Sequence, residues 1–367
     1  MRWIAILTTF FFPNGDPTVE PSYSGADRYL VQLAALCRER GYVPRVYQCG
    51  NGSWVREYEG FTVTGIPGTA FDFETNPSLN HVFTNLSMTA DLRIYFAPFT
   101  CWPNVAPRSL SICHGIWWDY PGHDLSNGAE NIAKEYFRRM FYGLTAPDKV
   151  VAVDTNVRNV VASRMASQVN KIRYVPNFAD TQLYHPAEAR TWDRPRVLYP
   201  RRLTSLRGSN EVLALAREMP EVDFWFVGRG DSPSHEEQMK QILGSYPNIT
   251  WQWVPFNEMP ELYRQTDVVI LPGRAAEGTS LSCVEAMASG LPVVATTVGG
   301  LPNMVIDGYN GFLAEPQLPY IRDALKRVLD MKDRGAAMGK VGRDMSAAFD
   351  VEVWKRKFWS VVDEVMV

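Results

Sequence analysis

The chain has 367 residues, of which 46% are hydrophobic and 21% are charged. This length predicts two globular domains, and this composition excludes a disordered or collagen-like chain. The formal net charge of -3 excludes a surface dominated by lysine and arginine, so we expect no nucleic-acid partner.

The cysteines and the apolar start of the chain bear on its compartment. Five cysteines are scattered without the spacing of a metal-binding or redox pair, which is typical of a reducing compartment. Residues 3–12 are apolar enough to suggest a signal peptide, but they lack a small-residue cleavage site and run into a Pro-Asn-Gly turn. No later run approaches the roughly 20 apolar residues of a membrane span. We therefore expect a soluble, cytoplasmic protein.

In the first half of the chain, short apolar runs alternate with amphipathic helical stretches. Strands are predicted at residues 2–10, 43–50, 92–98, 109–115 and 149–154, and helices at residues 26–40 and 131–142. This alternation is typical of a parallel sheet that is covered by helices on both faces.

The same alternation restarts in the second half, after a predicted extended connector at residues 172–186. Strands are predicted at residues 196–200, 222–228, 248–254, 267–273 and 292–297, and helices at residues 210–217, 236–243, 259–265 and 284–288. The pattern predicts an α/β protein with two doubly wound domains, residues 1–184 and 185–350. We expect the final helix, residues 351–367, to cross back to the first domain. Ligands of such sheets bind at the C-terminal ends of the strands.

The strongest chemical signal is the stretch AEGTSLSCVEAMASGLPVVATTVGGLP at residues 276–302. A small polar turn of Gly278, Thr279 and Ser280 begins its helix. The backbone N–H groups there, up to that of Leu281, and the helix dipole favour a diphosphate. Glu277 in the loop and Glu285 in the helix would meet different parts of one ligand. One carboxylate suits sugar hydroxyls and the other suits a ribose diol. In the alternative interpretation, the first is a solvated loop residue and the second lies on an exposed helix face.

This stretch resembles the donor-site signature of the family 4 retaining glycosyltransferases, in which seven residues separate two glutamates. The resemblance covers most of the second half of the chain and implies the GT-B fold, in which two Rossmann-like domains face each other across a cleft. It implies that Glu277 binds the hydroxyls of the donor sugar and that Glu285 binds the ribose. It also implies a nucleotide-diphosphate sugar as co-substrate, with a UDP-sugar favoured and a GDP-sugar second.

The segment LYPRRLTSLRGSNEVL at residues 198–213 resembles the family's Gly-Arg-Leu and Lys-Gly segment, which supplies two cations to the diphosphate. Arg202 falls on the arginine position and Arg207 on the lysine position. The chain departs from the pattern in having Arg201 where the family usually has glycine, and arginine in place of that lysine. Arginine keeps the charge and can bind phosphate with two N–H groups. An exposed arginine cluster is the alternative.

Three further segments of the second half resemble the family. DVVILPGRAAEG has Gly273 in place of the usual serine, and VPNFADTQLYHP has Phe178 in place of glycine. In the latter, Asn177 and Asp180 are predicted to form turns. NITWQWVPFNEMPELYRQTD resembles the loop with which the family reads its nucleotide base through backbone groups, here near Val254.

The first half resembles the family less, as expected of a variable acceptor site. Residues 21–42 resemble the family's glycine loop, in which Gly25 would face the donor phosphates; a simple strand–helix turn is the alternative. His114 follows a buried strand and matches a histidine that often touches the donor sugar; a histidine satisfied by the core is the alternative. Close behind it, Trp117, Trp118 and Tyr120 would stack on a sugar ring, cover a lipid, or simply pack.

One helix suggests a weak peripheral contact with a membrane surface. At residues 131–142 the basic side chains of Lys134, Arg138 and Arg139 stand beside an aromatic stripe. A solvated basic face over a core stripe is the stronger interpretation of the same pattern.

Together these matches predict a metal-independent, retaining glycosyltransferase that acts on a glycan, a glycolipid or a small-molecule acceptor, as in polysaccharide biosynthesis. Arg202, Arg207 and the amides at the helix start would stabilise the leaving diphosphate, while His114 and Glu277 would hold the donor sugar. The sequence has no Asp-x-Asp pair suited to a divalent ion, and we expect no cofactor. Retention follows from the resemblance alone. A nucleotide-sugar epimerase and a non-catalytic sugar-nucleotide-binding partner subunit remain alternatives.

Overall fold

The computed structural model describes residues 2–21, 24–67, 76–115, 130–189, 192–230, 232–275 and 277–367. Contacts between residues divide the chain into two compact units. Of the described residues, those up to 114, from 130 to 175 and from 355 to the end form the first unit, and those from 176 to 354 belong to the second.

The division between the units lies at residue 175 rather than at 184, because the segment after it packs on the second unit. The ring of Phe178 lies 4.4 Å from that of Trp354, and the N–H of Ala179 donates to the carbonyl of Phe349. The ring of Tyr184 packs edge-on against Tyr263, with 5.5 Å between the centroids. These contacts hold residues 178–184 of the connector on the second unit.

The first unit is built on an eight-stranded sheet. Its strands are β1 (Trp3–Leu7), β2 (Val43–Cys49), β3 (Trp54–Tyr58), β4 (Phe61–Ile66), β5 (Leu92–Tyr95), β6 (Ser109–Cys113), β7 (Lys149–Ala152) and β8 (Ile172–Tyr174). The strand order is β3-β4-β2-β1-β5-β6-β7-β8, and among the described strands only β3 and β4 pair antiparallel. The central strands β1, β5 and β6 are buried along their whole length, as expected of strands covered on both faces.

The helices described beside this sheet are α1 (Gly25–Glu39), α2 (Asn76–Leu86), α3 (Glu130–Thr145) and α4 (Thr155–Arg164). The start of α1 follows from local chemistry. The hydroxyl of Ser24 accepts the N–H of Asp27, and the Asp27 carboxylate accepts the N–H of Ser24 in return. This capping box satisfies two backbone donors at the helix start.

The second unit contains a six-stranded sheet in which every described pairing is parallel. Its strands are β9 (Arg196–Tyr199), β10 (Asp223–Val227), β11 (Ile249–Gln252), β12 (Val268–Leu271), β13 (Val293–Thr296) and β14 (Gly311–Ala314). Its helices are α5 (Ser209–Glu218), α6 (Pro233–Leu243), α7 (Met259–Arg264), α8 (Leu281–Ala288), α9 (Leu318–Leu329) and α10 (Ala336–Ser346). The last helix, α11 (Val351–Met366), begins in this unit and ends in the first.

The strand order β11-β10-β9-β12-β13-β14 places a topological switch point between β9 and β12. On one side of this point the connections run towards β11, and on the other they run towards β14. The loops that follow the two strands therefore diverge, and ligands of doubly wound sheets bind in the crevice that this leaves. Two apolar clusters, one on each face of the sheet, hold these strands in place.

Within the described residues, no helix is both long enough and apolar enough to cross a bilayer. The predicted elements of both halves are present, with ends that differ by a few residues from those expected. The structure adds β3, β4, β8, β14 and the helices α2, α4, α9 and α10 to them.

Candidate functional site

The switch point of the second unit brings together charged residues that are distant in sequence. The loop after β9 carries Arg201 and Arg207, and the loop after β12 carries Glu277. They lie 76 and 70 residues before the glutamate, respectively. Because β9 and β12 are parallel neighbours, both loops leave the sheet at the same edge. The two arginines and the glutamate meet there, and we refer to these three residues as the ion triad.

In the ion triad, both guanidiniums donate to one oxygen. The Oε1 atom of Glu277 accepts Nη1 of Arg201 and Nη1 of Arg207. The Nη2 atom of Arg201 donates to the hydroxyl of Ser280 at 2.6 Å. The glutamate side chain is only 10% exposed and that of Arg201 only 6%, whereas the side chain of Arg207 is 39% exposed. These values exclude a solvated loop residue at position 277.

Burial and ion pairing act in opposite directions on the ion triad. Burial raises the pKa of Glu277, but the guanidiniums of Arg201 and Arg207 together outweigh it, so the pKa lies below its ordinary value. Burial also lowers the pKa of Arg201, and the neighbouring carboxylate outweighs that effect, so this pKa is raised. The glutamate and Arg201 are therefore both charged at neutral pH.

The turn that carries Arg207 is held by the end of β9. The hydroxyl of Tyr199 donates to the carbonyls of Arg202 and Arg207, at 2.8 and 3.1 Å. The hydroxyl of Thr204 accepts the N–H of Arg207 at 3.2 Å. Gly208 follows with φ of 82°, and a Cβ on it would lie 2.1 Å from the carbonyl oxygen of Pro272. Only glycine fits this close approach between the two loops.

The N-terminus of α8 lies beside the ion triad. Ser280 is the N-cap, and its hydroxyl accepts the N–H of Cys283 at 3.4 Å. Gly278, Thr279 and Leu281 complete the buried turn. No acidic residue stands in the first turn of this helix, so its positive end is not neutralised by its own side chains.

Asn177, in the connector, forms a hydrogen bond to this turn. The sequence did not predict this contact. Its Nδ2 atom donates to the carbonyl of Thr279 at 2.6 Å. The predicted turn-former Asp180 does form one, since its Oδ1 atom accepts the N–H groups of Gln182 and Leu183 at 2.9 and 3.1 Å. The asparagine instead links the connector to the start of α8.

Glu285 lies inside the second unit rather than on an exposed helix face, because it is 1% exposed. The hydroxyl of Tyr263 donates to its Oε2 atom at 2.9 Å. Burial, and then the charge of Glu285, raise the pKa of Tyr263 well above its ordinary value. The tyrosine therefore remains a hydrogen-bond donor that orients this carboxylate.

Two predicted donor-site residues of the second unit lie outside these contacts. Arg202 is exposed, and Arg201, noted from sequence only as a departure from the family pattern, is the arginine that contacts Glu277. Val254 lies just past β11 and packs on the apolar cluster of one sheet face. For Arg202 and Val254, binding of the donor stays a prediction.

In the first unit, His114 lies directly beyond β6 among aromatic rings. Its ring centroid is 5.0 Å from that of Tyr29 and 4.5 Å from that of Phe96. Burial lowers its pKa to about 4, against the opposing effect of the Phe96 carbonyl, so the ring is neutral at pH 7. Within the described part of the chain its Nε2 atom has no hydrogen-bond partner. Gly25 is the first residue of α1, behind the capping box.

The basic helix α3 has its described charges paired. Glu135 accepts hydrogen bonds from both Arg138 and Arg139, which lowers its pKa to about 2. The guanidinium of Arg138 also lies 3.9 Å from the ring centre of Trp102. The side chain of Lys134 and the aromatic residues 117, 118 and 120 lie outside what the structure describes.

Among the residues that the structure describes, no group of three or more His, Cys, Asp or Glu side chains could hold a metal ion. The described groups at the switch point are two guanidiniums, two buried carboxylates and a helix N-terminus.

Comparison with known proteins gives matches in sequence and in structure. The family described as "Glycosyl transferases group 1" matches residues 199–331. An uncharacterized glycosyltransferase of Methanocaldococcus jannaschii is 36% identical over 263 residues, which cover 70% of each chain. A GDP-mannose-dependent alpha-(1-6)-phosphatidylinositol monomannoside mannosyltransferase of Mycolicibacterium smegmatis is 28% identical over 257 residues, and the match covers 64% of this chain and 66% of that relative. The chain thus spans about two thirds of the length of these relatives.

Among solved structures, the sucrose-phosphate synthase of Thermosynechococcus elongatus superposes with a TM-score of 0.82 at 20% identity. The match covers 99% of each chain. At this identity the likeness speaks for the fold alone, and it confirms the predicted GT-B class with two parallel-sheet domains.

Proposed function

Because this chain belongs to the group 1 glycosyltransferases, we propose that it transfers a sugar from a nucleoside diphosphate to a hydroxyl acceptor, with retention of anomeric configuration and without a metal ion. The observation that carries this proposal is the ion triad of Glu277, Arg201 and Arg207 at the switch point, beside the N-terminus of α8. Doubly wound sheets bind ligands at this edge, and helix N-termini bind phosphates.

Charge supports a diphosphate at this site. Two guanidiniums and one carboxylate leave the ion triad with one net positive charge. We assign the half-buried Arg207 and the exposed Arg202 to the diphosphate, together with the backbone N–H groups of Thr279, Ser280 and Leu281. As the bond to the sugar breaks, negative charge grows on the diphosphate, and preorganised donors of this kind stabilise it.

The two buried carboxylates suit the sugar and the ribose of the donor. The Oε2 atom of Glu277 is buried without a hydrogen-bond partner among the described residues, so it is available to accept from sugar hydroxyls. We assign Glu285, which Tyr263 orients, to the ribose, and the backbone around Val254 to the base. For Gly25 and His114 of the first unit, we keep the roles that the family resemblance implies, facing the donor phosphates and the donor sugar.

The proposed reaction needs no carboxylate nucleophile. The bond between the anomeric carbon and the diphosphate breaks while the acceptor oxygen bonds to the same face of that carbon. The proton of the acceptor hydroxyl passes to the departing phosphate oxygen. Glu277 holds the sugar during this step, and Arg202 and Arg207 hold the leaving group.

The donor and acceptor classes follow from the family and from the relatives. We keep a UDP-sugar as the first donor to test and a GDP-sugar as the second, which the name of the M. smegmatis relative also supports. That relative's name also supports a sugar hydroxyl of a glycolipid as acceptor, beside glycan and small-molecule acceptors.

The test is a transfer assay with UDP- and GDP-sugars against glycan, glycolipid and small-molecule acceptors, with and without EDTA. We expect acceptor-dependent release of nucleoside diphosphate that EDTA leaves unchanged, and an α-linked product from an α-linked donor by NMR. An inverted linkage would contradict retention. Conversion of the donor without any acceptor would favour an epimerase, and tight binding without turnover would favour a non-catalytic partner subunit.

A further inference from the structure

The two arginines of the ion triad share a single carboxylate oxygen. Both donate to Oε1 of Glu277, whereas Oε2 is buried without a hydrogen-bond partner among the described residues. A carboxylate can accept one arginine through both of its oxygens. Because both guanidiniums donate to Glu277, either of them can leave while the other stays as its positive partner.

The two arginines differ in how readily they can leave. Arg201 is 6% exposed and is fixed at its other end by the hydroxyl of Ser280, the N-cap of α8. Arg207 is 39% exposed, and its guanidinium has Glu277 as its partner among the side-chain hydrogen bonds of the described residues. A buried charge must keep its partner, whereas a half-exposed one can turn to solvent or to a ligand.

Arg201 stands where the chain departs from the family pattern, and so does its neighbour Gly273. A Cβ on this glycine would lie 3.9 Å from Nη1 of Arg201. The two departures therefore lie side by side and belong to one local arrangement.

We propose that Arg201 is a positioning residue, the fixed partner of Glu277, which frees Arg207 to leave the glutamate and bind the donor diphosphate. The inference rests on the proposed function. A diphosphate carries more negative charge than a carboxylate and draws the half-exposed guanidinium towards it. Arg201 meanwhile keeps Glu277 ionised and in place beside the start of α8, with one oxygen left for the sugar.

This arrangement predicts an unusual pattern of nucleotide affinity. Without Arg201, the buried Glu277 has Arg207 as its remaining partner in the ion triad, and Arg207 cannot serve the carboxylate and the diphosphate at once. Affinity falls although Arg201 touches no ligand. Removing the charge of Glu277 as well releases Arg207 and restores affinity, whereas transfer remains lost.

The experiment measures the Kd of UDP and GDP by calorimetry for the unmodified chain and for variants. The variants are Arg201→Ala, Arg201→Lys, Glu277→Gln, the double variant Arg201→Ala with Glu277→Gln, and the control Arg322→Ala. The control removes an exposed arginine that pairs with Glu218 on the helices α5 and α9, away from the ion triad.

For the nucleotide that the unmodified chain binds, we expect Arg201→Ala to weaken binding about ten-fold, the scale of a charge-assisted hydrogen bond. The double variant should return to within about three-fold of Glu277→Gln. Arg201→Lys should recover part of the loss, because it keeps the charge beside Glu277 but has no second nitrogen to reach Ser280. The control should bind as the unmodified chain does.

Two results would overturn the inference while leaving the proposed function intact. In one, the double variant binds as weakly as Arg201→Ala, which means that Arg201 contacts the diphosphate or merely supports the loop. In the other, Arg201→Ala binds normally. If Arg201→Ala does not fold, Arg201→Gln, which also removes the charge but keeps more of the side chain, gives the same contrast with and without Glu277→Gln. Failure of the unmodified chain and of the control to bind either nucleotide would instead contradict the proposed function.

Discussion

In the second unit, the loops after β9 and β12 bring two arginines to one glutamate. In the first unit, helix α1 and the end of β5 bring two aromatic rings to the histidine that follows β6. The helix starts differ in the same sense. The N-terminus of α8 has no acidic residue in its first turn, but α1 carries Asp27 there, in a closed capping box. Both sheets are doubly wound. However, charged side chains meet at the C-terminal edge of the second sheet, whereas a histidine and aromatic rings meet at that edge of the first.

The difference shows how each unit manages buried polar groups. In the second unit, Glu277 stays charged because two cations lie beside it, and the ion triad keeps a net positive charge. In the first unit, burial lowers the pKa of His114 to about 4 and keeps the ring neutral at pH 7. Substitutions that remove a charge should therefore have their largest effect in the second unit. Lowering the pH from 7 to 5 should have its largest effect on the stability of the first unit.

The largest effect is expected from Glu277→Gln, which keeps the size of the side chain and removes its charge. We expect kcat to fall about 100-fold, the scale of losing one preorganised contact in a transition state, with the Kd of the nucleotide changed less than about three-fold. Steady-state kinetics and calorimetry measure the two quantities. Glu218→Gln, which breaks only an exposed ion pair with Arg322, is the matched control. An unchanged kcat would remove Glu277 from the donor site.

The second-largest effect is expected in the free energy of unfolding, and it comes from His114 in the first unit. The pKa of His114 is about 4 in the folded chain against 6.5 for an exposed histidine, so between these values the unfolded chain binds more protons. Its contribution to stability is complete above pH 6.5 and is lost as the pH falls towards 4. We expect the free energy of unfolding to drop by about 2 kcal/mol more between pH 7 and 5 than in His114→Asn.

Denaturant titrations of both proteins at pH 7 and pH 5 measure this difference. The baseline stability of His114→Asn does not matter, because only the change with pH is compared. Equal changes in the two proteins would mean that His114 has the same pKa in the folded and in the unfolded chain.

A smaller effect is expected from Glu285→Gln. Loss of the carboxylate that Tyr263 orients should weaken the Kd of the nucleotide about ten-fold, because a charged acceptor for the ribose is lost. Tyr263→Phe should act in the same direction and less strongly, since the carboxylate remains. Calorimetry at constant salt compares the three proteins. Full affinity in Glu285→Gln would show that the glutamate only fills the core.

The smallest effect is expected from Asp27→Asn at the start of α1. Its carboxylate accepts the N–H of Ser24, and an asparagine can accept the same bond. We therefore expect nucleotide affinity to change less than about two-fold. A clear gain in affinity would mean that the charge of Asp27, despite its bond to Ser24, opposes the diphosphate that Gly25 is proposed to face, and the contrast between the two helix starts would then fail.

Much of the fold follows from periodicity, because the strands β9, β10, β12 and β13 are short apolar runs between helical stretches and turn residues. Two of the strands that the sequence did not predict have weak signals. β3 is a half-exposed edge strand, and β8 has only three residues within a segment that proline and polar residues mark as irregular.

The residues of the site can be predicted from the sequence only where a single residue of the required type stands at the expected position. The turn before α8 and its two glutamates could be located from spacing, but the sequence could not decide between the adjacent arginines 201 and 202. Successive side chains of an extended segment point to opposite sides. Which of the two points inwards depends on the register of β9, and the structure turns Arg201 inwards and Arg202 outwards. The bond from Asn177 to Thr279 depends on tertiary packing, for which the sequence carries no local signal.

We propose that the edge of the second sheet binds a nucleoside diphosphate without a metal ion. Calorimetric titration of the unmodified chain with UDP, GDP and ADP, each with and without EDTA, tests it most directly. We expect saturable binding of UDP or GDP at a single site, with a Kd that EDTA does not change. Loss of binding in EDTA, or no binding of any of the three by the folded protein, would contradict it.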